Sequence, residues 1–274
     1  MALVTITREM GSLGKDVASP LSEALGVPLV YHEVIDHLAD RMRVRKSHVI
    51  RLLDGSANLL ERLTADKTSL SIFTADEVIN LALQGNGAVI RGWGATHLLR
   101  EIPHAVCVRI CAPFELRKRR MMQRTGNADG GKIGEEIRQN DRAHTEIMRR
   151  NFQVQWADAE NYDLVLNTER LSVQQCVDMV LGLVRSPKFA ETDESRRQLE
   201  DLALAWSVRA ALRLSRRTRG LAISVTATNG RVTLAGFLDT PEERSAVHEL
   251  AVHAGAADLD DQLRTAKALP AQFP

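Results

Sequence analysis

Residues 3–16 read Leu3-Val-Thr-Ile-Thr-Arg-Glu-Met-Gly-Ser-Leu-Gly-Lys-Asp16: an apolar run, a turn carrying two glycines, and a lysine opening an amphipathic stretch. The run suits a short strand buried on both faces. Gly11 and Gly14 would let the backbone fold its amides inward around a phosphate. The helix that follows adds unpaired N–H groups and the positive end of its dipole. Gly11, Ser12, Leu13, Gly14, Lys15 and Asp16 are therefore the candidate phosphate contacts, with Lys15 as the mobile charge that follows a phosphoryl group. The general phosphate-loop pattern is GxxxxGK[ST]. Here Glu9 stands at the first glycine and Asp16 at the magnesium-binding hydroxyl, so the loop read alone is equally a plain strand–turn–helix.

The same rhythm continues outward. Leu3–Thr7, Gly87–Ile90, Ala105–Cys111 and Tyr162–Asn167 read as strands. Asp16–Leu25, Val34–Met42, Thr74–Leu83, Phe114–Arg124 and Val173–Leu183 carry apolar residues at helical spacing. Strand alternating with helix predicts an α/β fold with a parallel sheet covered on both faces. Ser172 and Gln175 fit a capping box, and Pro20 inside the first helix removes one backbone bond.

The rhythm changes near residue 190. Residues 187–206 are charged and then helical in period, suiting a linker and helix. Leu221–Thr228 and Arg231–Gly236 alternate in period two around Asn229-Gly230, a hairpin signal because both turn residues need positive φ. Thr240-Pro-Glu-Glu243 opens another helix, and a last strand is expected near Asp260–Thr265. The expected division is thus 1–186, a linker at 187–206, and a small α+β module (αββαβ) at 207–268.

Composition sets limits. The 274 residues are 44% hydrophobic and 26% charged, which excludes a wholly disordered chain. The net charge of +1 argues against a polyanion-seeking protein. From residue 187 on, 12 basic and 12 acidic side chains cancel, so no nucleic-acid partner is expected. No apolar run approaches the roughly 20 residues of a membrane span, and no secretory signal is visible. Three cysteines without CxxC spacing read as reduced thiols, and a cytoplasmic location follows. The histidines show no ligand spacing, so no protein-held metal cluster is expected.

ITREMGSLGKDVA, VPLVYHEVI, GAVIRGWGATHLLR, APFELRKRRMMQR and NYDLVLNTERLSVQQCVDMV, in that order, resemble the cytidylate kinase-like family over about residues 1–185. The family is a branch of the P-loop nucleoside monophosphate kinases, and its loop usually reads like SREFGSGGREIA. The resemblance implies a core sheet, NMP-binding helices and an arginine-rich lid, with ATP and Mg²⁺ serving γ-phosphate transfer to CMP or dCMP. This chain departs from the family at several points. GRGA is Arg91-Gly92-Trp93-Gly94-Ala95, so Arg91, two positions from Trp93, is the expected substrate contact. DxxR is Asp141-Arg-Ala-His144, with Arg142 a second substrate candidate, and Tyr-Asp is Tyr31-His32.

Phosphoryl transfer needs cations placed around the moving group. Arg117, Arg120 and Arg124 lie at i, i+3 and i+7 on one helical face. The family's RxxR makes Arg117 and Arg120 catalytic candidates beside Lys15. Arg138, Arg142, Arg149 and Arg150 follow a glycine-rich tip at Gly126–Gly134, the arrangement of a closing lid. No strand ends in an Asp placed to hold magnesium, so Ser12 or the nucleotide phosphates themselves would carry the ion. A second reading follows: a catalytically weak nucleotide-binding regulator. The stretch VRAALRLSRRTRGLAISVTATNGRVTLAGFLDTPEERSAVHELAV resembles a BON domain, which implies a protein or lipid partner or self-association.

Overall fold

The computed structural model describes residues 1–54, 66–92 and 94–265. Trp93 and residues 266–268 of the expected module lie outside the described residues. The chain divides into two compact units, Met1–Ser195 and Arg196–Pro274.

In the first unit β1 (Ala2–Arg8) leads through the loop into α1 (Gly14–Leu25). There follow β2 (Leu29–Val30), α2 (His32–Met42), α3 (Lys46–Asp54), α4 (Lys67–Leu83), β3 (Gly87–Arg91), α5 (Ala95–Leu98) and β4 (Ala105–Cys111). Then come α6 (Phe114–Thr125), α7 (Gly130–Phe152), β5 (Leu164–Asn167) and α8 (Val173–Val184). Among the described residues these strands form one five-stranded sheet, ordered β2-β3-β1-β4-β5, with every neighbouring pair parallel. Val4 and Ile6 of β1 and Val108 and Ile110 of β4 pack against Val17, Ala18 and Leu21 of α1 and Val177 and Val180 of α8. The capping box at Ser172 and Gln175 starts α8, and α1 continues through Pro20 to a left-handed Gly26. After β1 the chain builds β2 and β3 on one side, then returns to place β4 on the other. Such a reversal opens a crevice at the carboxyl end of the central strand, and the loop 9–13 sits there.

Two details differ from expectation. Gly130, Gly131 and Gly134 belong to α7, so the expected glycine-rich tip shrinks to residues 126–129; Asp129 caps α7 by accepting the Lys132 amide at 3.0 Å. Helix α4 begins at Lys67, seven residues before Thr74, because Asp66 accepts the Ser69 amide.

The second unit is built on α9 (Asp193–Leu214), β6 (Ile223–Thr228), β7 (Arg231–Leu238), α10 (Pro241–His253) and β8 (Asp258–Thr265). The boundary expected at 206/207 falls inside α9, because apolar residues keep helical spacing across it, from Leu199 and Ala203 to Val208 and Leu212. Strands β6 and β7 form the expected hairpin, with Asn229 at φ 52° and Gly230 at φ 77°. Strand β8 pairs parallel to β7 through α10, whose capping box joins Thr240 and Glu243. Asp201 of α9 accepts both turn amides, Asn229 N–H and Gly230 N–H, at 2.7 Å each. Val225, Val232, Leu234, Leu238, Val247 and Leu263 fill the core.

Candidate active site

The loop owes its shape to two positive-φ residues, Gly11 at 83° and Leu13 at 64°. Packing makes glycine obligatory at two places. A Cβ on Gly11 would sit 2.7 Å from the Arg117 carbonyl oxygen, and one on Gly14 would sit 2.5 Å from the Arg8 Cβ. The Val17 amide donates to the Leu13 carbonyl at 3.0 Å, which leaves the earlier N–H groups of α1 at the mouth of the crevice. Lys15 and Asp16 are exposed there, and Lys15 forms no ion pair among the described residues.

Glu9, where a glycine was expected, faces the interior. Its carboxylate accepts from Arg109 at 2.8 Å and from the Ala112 amide at 3.1 Å, and lies 3.3 Å from the Arg117 Nε. Arg117 is almost fully buried. It grips Asp141 of α7 with both Nη atoms, at 3.2 and 2.9 Å, and donates to the carbonyls of Met10 and Ala112. Arg109 donates to the Trp156 carbonyl, and the Trp156 Nε1 donates to Thr7 Oγ1 at 2.9 Å. Glu9, Arg109, Arg117 and Asp141 thus form an ionic frame, its arginines buried and its carboxylates partly so, that fixes the loop to β4, α6 and α7. In such a frame each charge is the other's solvation.

The expected residues divide accordingly. Arg120 stands at the loop: its Nη atoms donate to the hydroxyl and carbonyl of Thr168, and the Thr168 hydroxyl donates to the Ser12 carbonyl at 2.9 Å. Burial pushes the Arg120 pKa down, and Asp16 opposes that shift. Arg117 points inward, and each of its three guanidinium nitrogens donates to a protein group. Ser12 is fully buried and its hydroxyl donates to the Ile110 carbonyl at 3.0 Å, which turns it away from any ion in the crevice. Arg142 is exposed and pairs with Glu135 on its own helix at 2.6 Å. His144 stacks on Trp156 at 5.0 Å, so the ring standing at the family's second lid cation is a packing element here.

Arg91, ending β3, is buried, with its guanidinium 3.7 Å above the Tyr31 ring. Beside it lies Arg8, the last residue of β1, and Arg124 acts electrostatically on both. Sequence reading missed Arg8, Glu9's partners and Thr168. The Asn167-Thr168 pair at the end of β5 was the available signal, because ligand contacts gather at strand ends.

Among the described residues no three His, Cys, Asp or Glu side chains converge on a metal position. Asp16 is the acidic group at the loop's open face, so the donor set fits a magnesium ion carried on nucleotide phosphates and water, not a protein-built cage.

The fold and loop define a kinase-like P-loop α/β domain followed by a small α+β module. Residues 3–170 match the cytidylate kinase-like family, and residues 200–267 match the BON domain. The chain belongs to the cytidylate kinase-like family. An uncharacterised protein from Eubacterium ventriosum shares the fold at TM-score 0.53 and 20% identity, over 68% of this chain and 99% of that one. A shikimate kinase from Acinetobacter baumannii aligns at TM-score 0.43 and 12% identity, over 69% of this chain and 96% of its own. A uronate isomerase from Corynebacterium glutamicum is 29% identical over 96 residues, 35% of this chain; the chain spans only 18% of that protein's length. Among the described residues no helix is long and apolar enough to cross a membrane.

Proposed function

We propose that this protein transfers the γ-phosphoryl group of ATP to a nucleoside monophosphate, CMP or dCMP. The observation that carries the reading is Lys15, exposed at the open N-terminus of α1 and without an ionic partner among the described residues, beside a loop whose two glycines are demanded by packing. In this reading Gly11–Asp16 cradle the donor phosphates, and Lys15 follows the group in flight. Arg120, anchored to the loop through Thr168, stabilises the charge that develops between donor and acceptor. Arg117 holds the loop and α7 in register from behind, and Arg91 faces the acceptor. Arg142, on the outer face of α7, would join only through a lid movement. Asp16, at the open face of the loop, would stand beside a magnesium ion brought with the nucleotide, whose contribution there would be charge neutralisation.

The chemistry then belongs to the first unit and to a cytoplasmic setting, while the BON domain supplies a contact to a protein, a lipid surface or a second copy. The test is a panel of ATP with each nucleoside monophosphate, measuring turnover and binding in parallel. Turnover greatest with a cytosine nucleotide is expected. Binding without turnover would favour the second reading, a nucleotide-responsive regulator acting through the BON domain. That reading draws on the inward Ser12 and on Asp16, which together leave magnesium without a hydroxyl ligand.

A further inference from the structure

Strands β6, β7 and β8 turn one face to their helices and leave the other open. Val232, Leu234 and Leu238 of β7 and Leu263 of β8 point into the core, and Asp261 of β8 accepts from Arg244 of α10. The alternate residues stand on the open face: Thr233, Ala235 and Phe237 of β7, in register with Asp260, Gln262 and Arg264 of β8. Hydrogen bonds run along that face, to Asp260 from Thr233 at 3.4 Å and from Gln262 at 2.7 Å. At its hairpin end Arg231 and Asp258 neutralise each other at 2.7 Å, whereas neither Asp260 nor Arg264 has an ion pair among the described residues. The two lie four positions apart on one strand, about 13 Å, too far to satisfy each other. Beside Arg264 stands Phe237, 72% exposed.

We propose that this face is a self-association surface whose occupant is the same face of a second copy, turned end for end. The register supplies the symmetry. Ala235 and Gln262 are partners at the middle, with Thr233 and Asp260 two positions before them and Phe237 and Arg264 two positions after. A two-fold axis lying across the strands at that middle pair sets β7 over β7 and β8 over β8, in opposite directions. Arg264 of each copy then faces Asp260 of the other, so both unmatched charges are matched twice. Phe237 of each copy covers Thr233 of the other, and the small Ala235 lets the sheets approach to the usual spacing of about 10 Å. An anionic membrane would call for a basic face, but here Asp258 and Asp260 cancel Arg231 and Arg264. Three strands about 4.8 Å apart and about 23 Å long offer roughly 300 Å² per copy, the class of weak and reversible contacts. The pair therefore forms with rising concentration and loosens with salt. None of this rests on the kinase reading.

Sedimentation equilibrium of the full chain, over a wide concentration range at low and high chloride, should show a monomer–dimer equilibrium that salt weakens. Asp260→Arg and Arg264→Asp each set like charges face to face, and each should weaken the dimer by about tenfold or more. Mixed together, the two variants should associate again, because positions 260 and 264 then meet with opposite charges at both contacts. Neither misfolding nor a contact elsewhere on the chain gives that recovery. Phe237→Ser should also weaken the dimer while circular dichroism shows the fold intact. A chain that is monomeric throughout, a dimer that both charge variants leave unchanged, or variants that stay apart on mixing would overturn the proposal. So would a monomer that Phe237 anchors to vesicles of anionic phospholipid, which would give the face to a membrane.

Discussion

The two units solve opposite problems. In the first, the carboxyl ends of parallel strands gather charge. Arg91, Arg109 and Arg117 are buried there, and Arg109 and Arg117 bear on the loop through Glu9. In the second, the buried polar side chain among the described residues is Thr218, and the core is aliphatic. Its notable surface features are Phe237, 72% exposed on β7, and Val252, 58% exposed on α10. Buried charge is expensive to maintain and is kept where it positions or binds something; an aliphatic core with apolar groups left outside suits a module that recognises by contact. Buried charge is therefore concentrated in one unit, and the other leaves apolar groups on its surface.

The contrast can be broken or sharpened experimentally. The largest effect is expected from Glu9→Ala, which leaves Arg109 and Arg117 without their shared carboxylate. Breaking a buried pair in this way costs about 3–5 kcal/mol. Calorimetry should show that loss in the first unit's transition alone; an unchanged melting temperature would mean the frame bears no weight. Lys15→Ala should reduce ATP affinity or turnover by about 10- to 150-fold, the worth of a charge-assisted contact of about 1.5–3 kcal/mol. Lys118→Ala should change the same kinetics less than twofold, since Lys118 pairs with Glu115 on its own helix. Equal effects from both would remove the loop from the chemistry.

On the other side of the contrast, Gly230→Ala places a Cβ at φ 77° in the hairpin turn. It should destabilise the second unit by about 1–2 kcal/mol and leave nucleotide turnover intact. A fall in turnover would show that the units are energetically coupled.

The smallest effect is a pH slope. His97 stacks on Phe152, and burial, aided by Arg100, depresses its pKa from 6.5 to about 4. The folded state then resists a proton that the unfolded chain accepts. The first unit should lose up to about 1.4 kcal/mol per pH unit as pH falls from about 6.5 toward 4. Denaturant melts at successive pH values should show that slope, and His97→Gln should flatten it.

Much of this architecture was legible beforehand because its signals are local. The strand–glycine–helix order at residues 3–16, the boxes at Ser172 and Thr240, and the Asn229-Gly230 turn each depend on neighbours in sequence. The site was legible in its backbone and less so in its side chains. Lys15 and Arg120 can be suspected from spacing. That Arg117 turns inward depends on Glu9 and Asp141, 108 positions before it and 24 after, and a helical wheel cannot distinguish it from Arg120. Arg8 was hidden for a related reason: within β1 it looks like an ordinary strand end, and its meaning arises only when β3 brings Arg91 alongside. The stretch 187–206 was read as a linker and helix; the helix starts at Asp193 and runs on to Leu214, since a charged start at Asp193–Arg197 suits a helical first turn.

The inward carboxylate at position 9 makes this loop editable from one end only. Asp16→Ser alters an exposed side chain and could bring back a magnesium-binding hydroxyl at small structural cost. Glu9→Gly would write the other half of the ordinary motif, yet it takes from Arg109 its counter-ion and from Arg117 one of two. A lineage carrying Glu9 can drift toward or away from strong metal binding through position 16 while its loop remains committed at position 9. A protein engineer repairing the consensus would need to remove Arg109 and Arg117 before touching it.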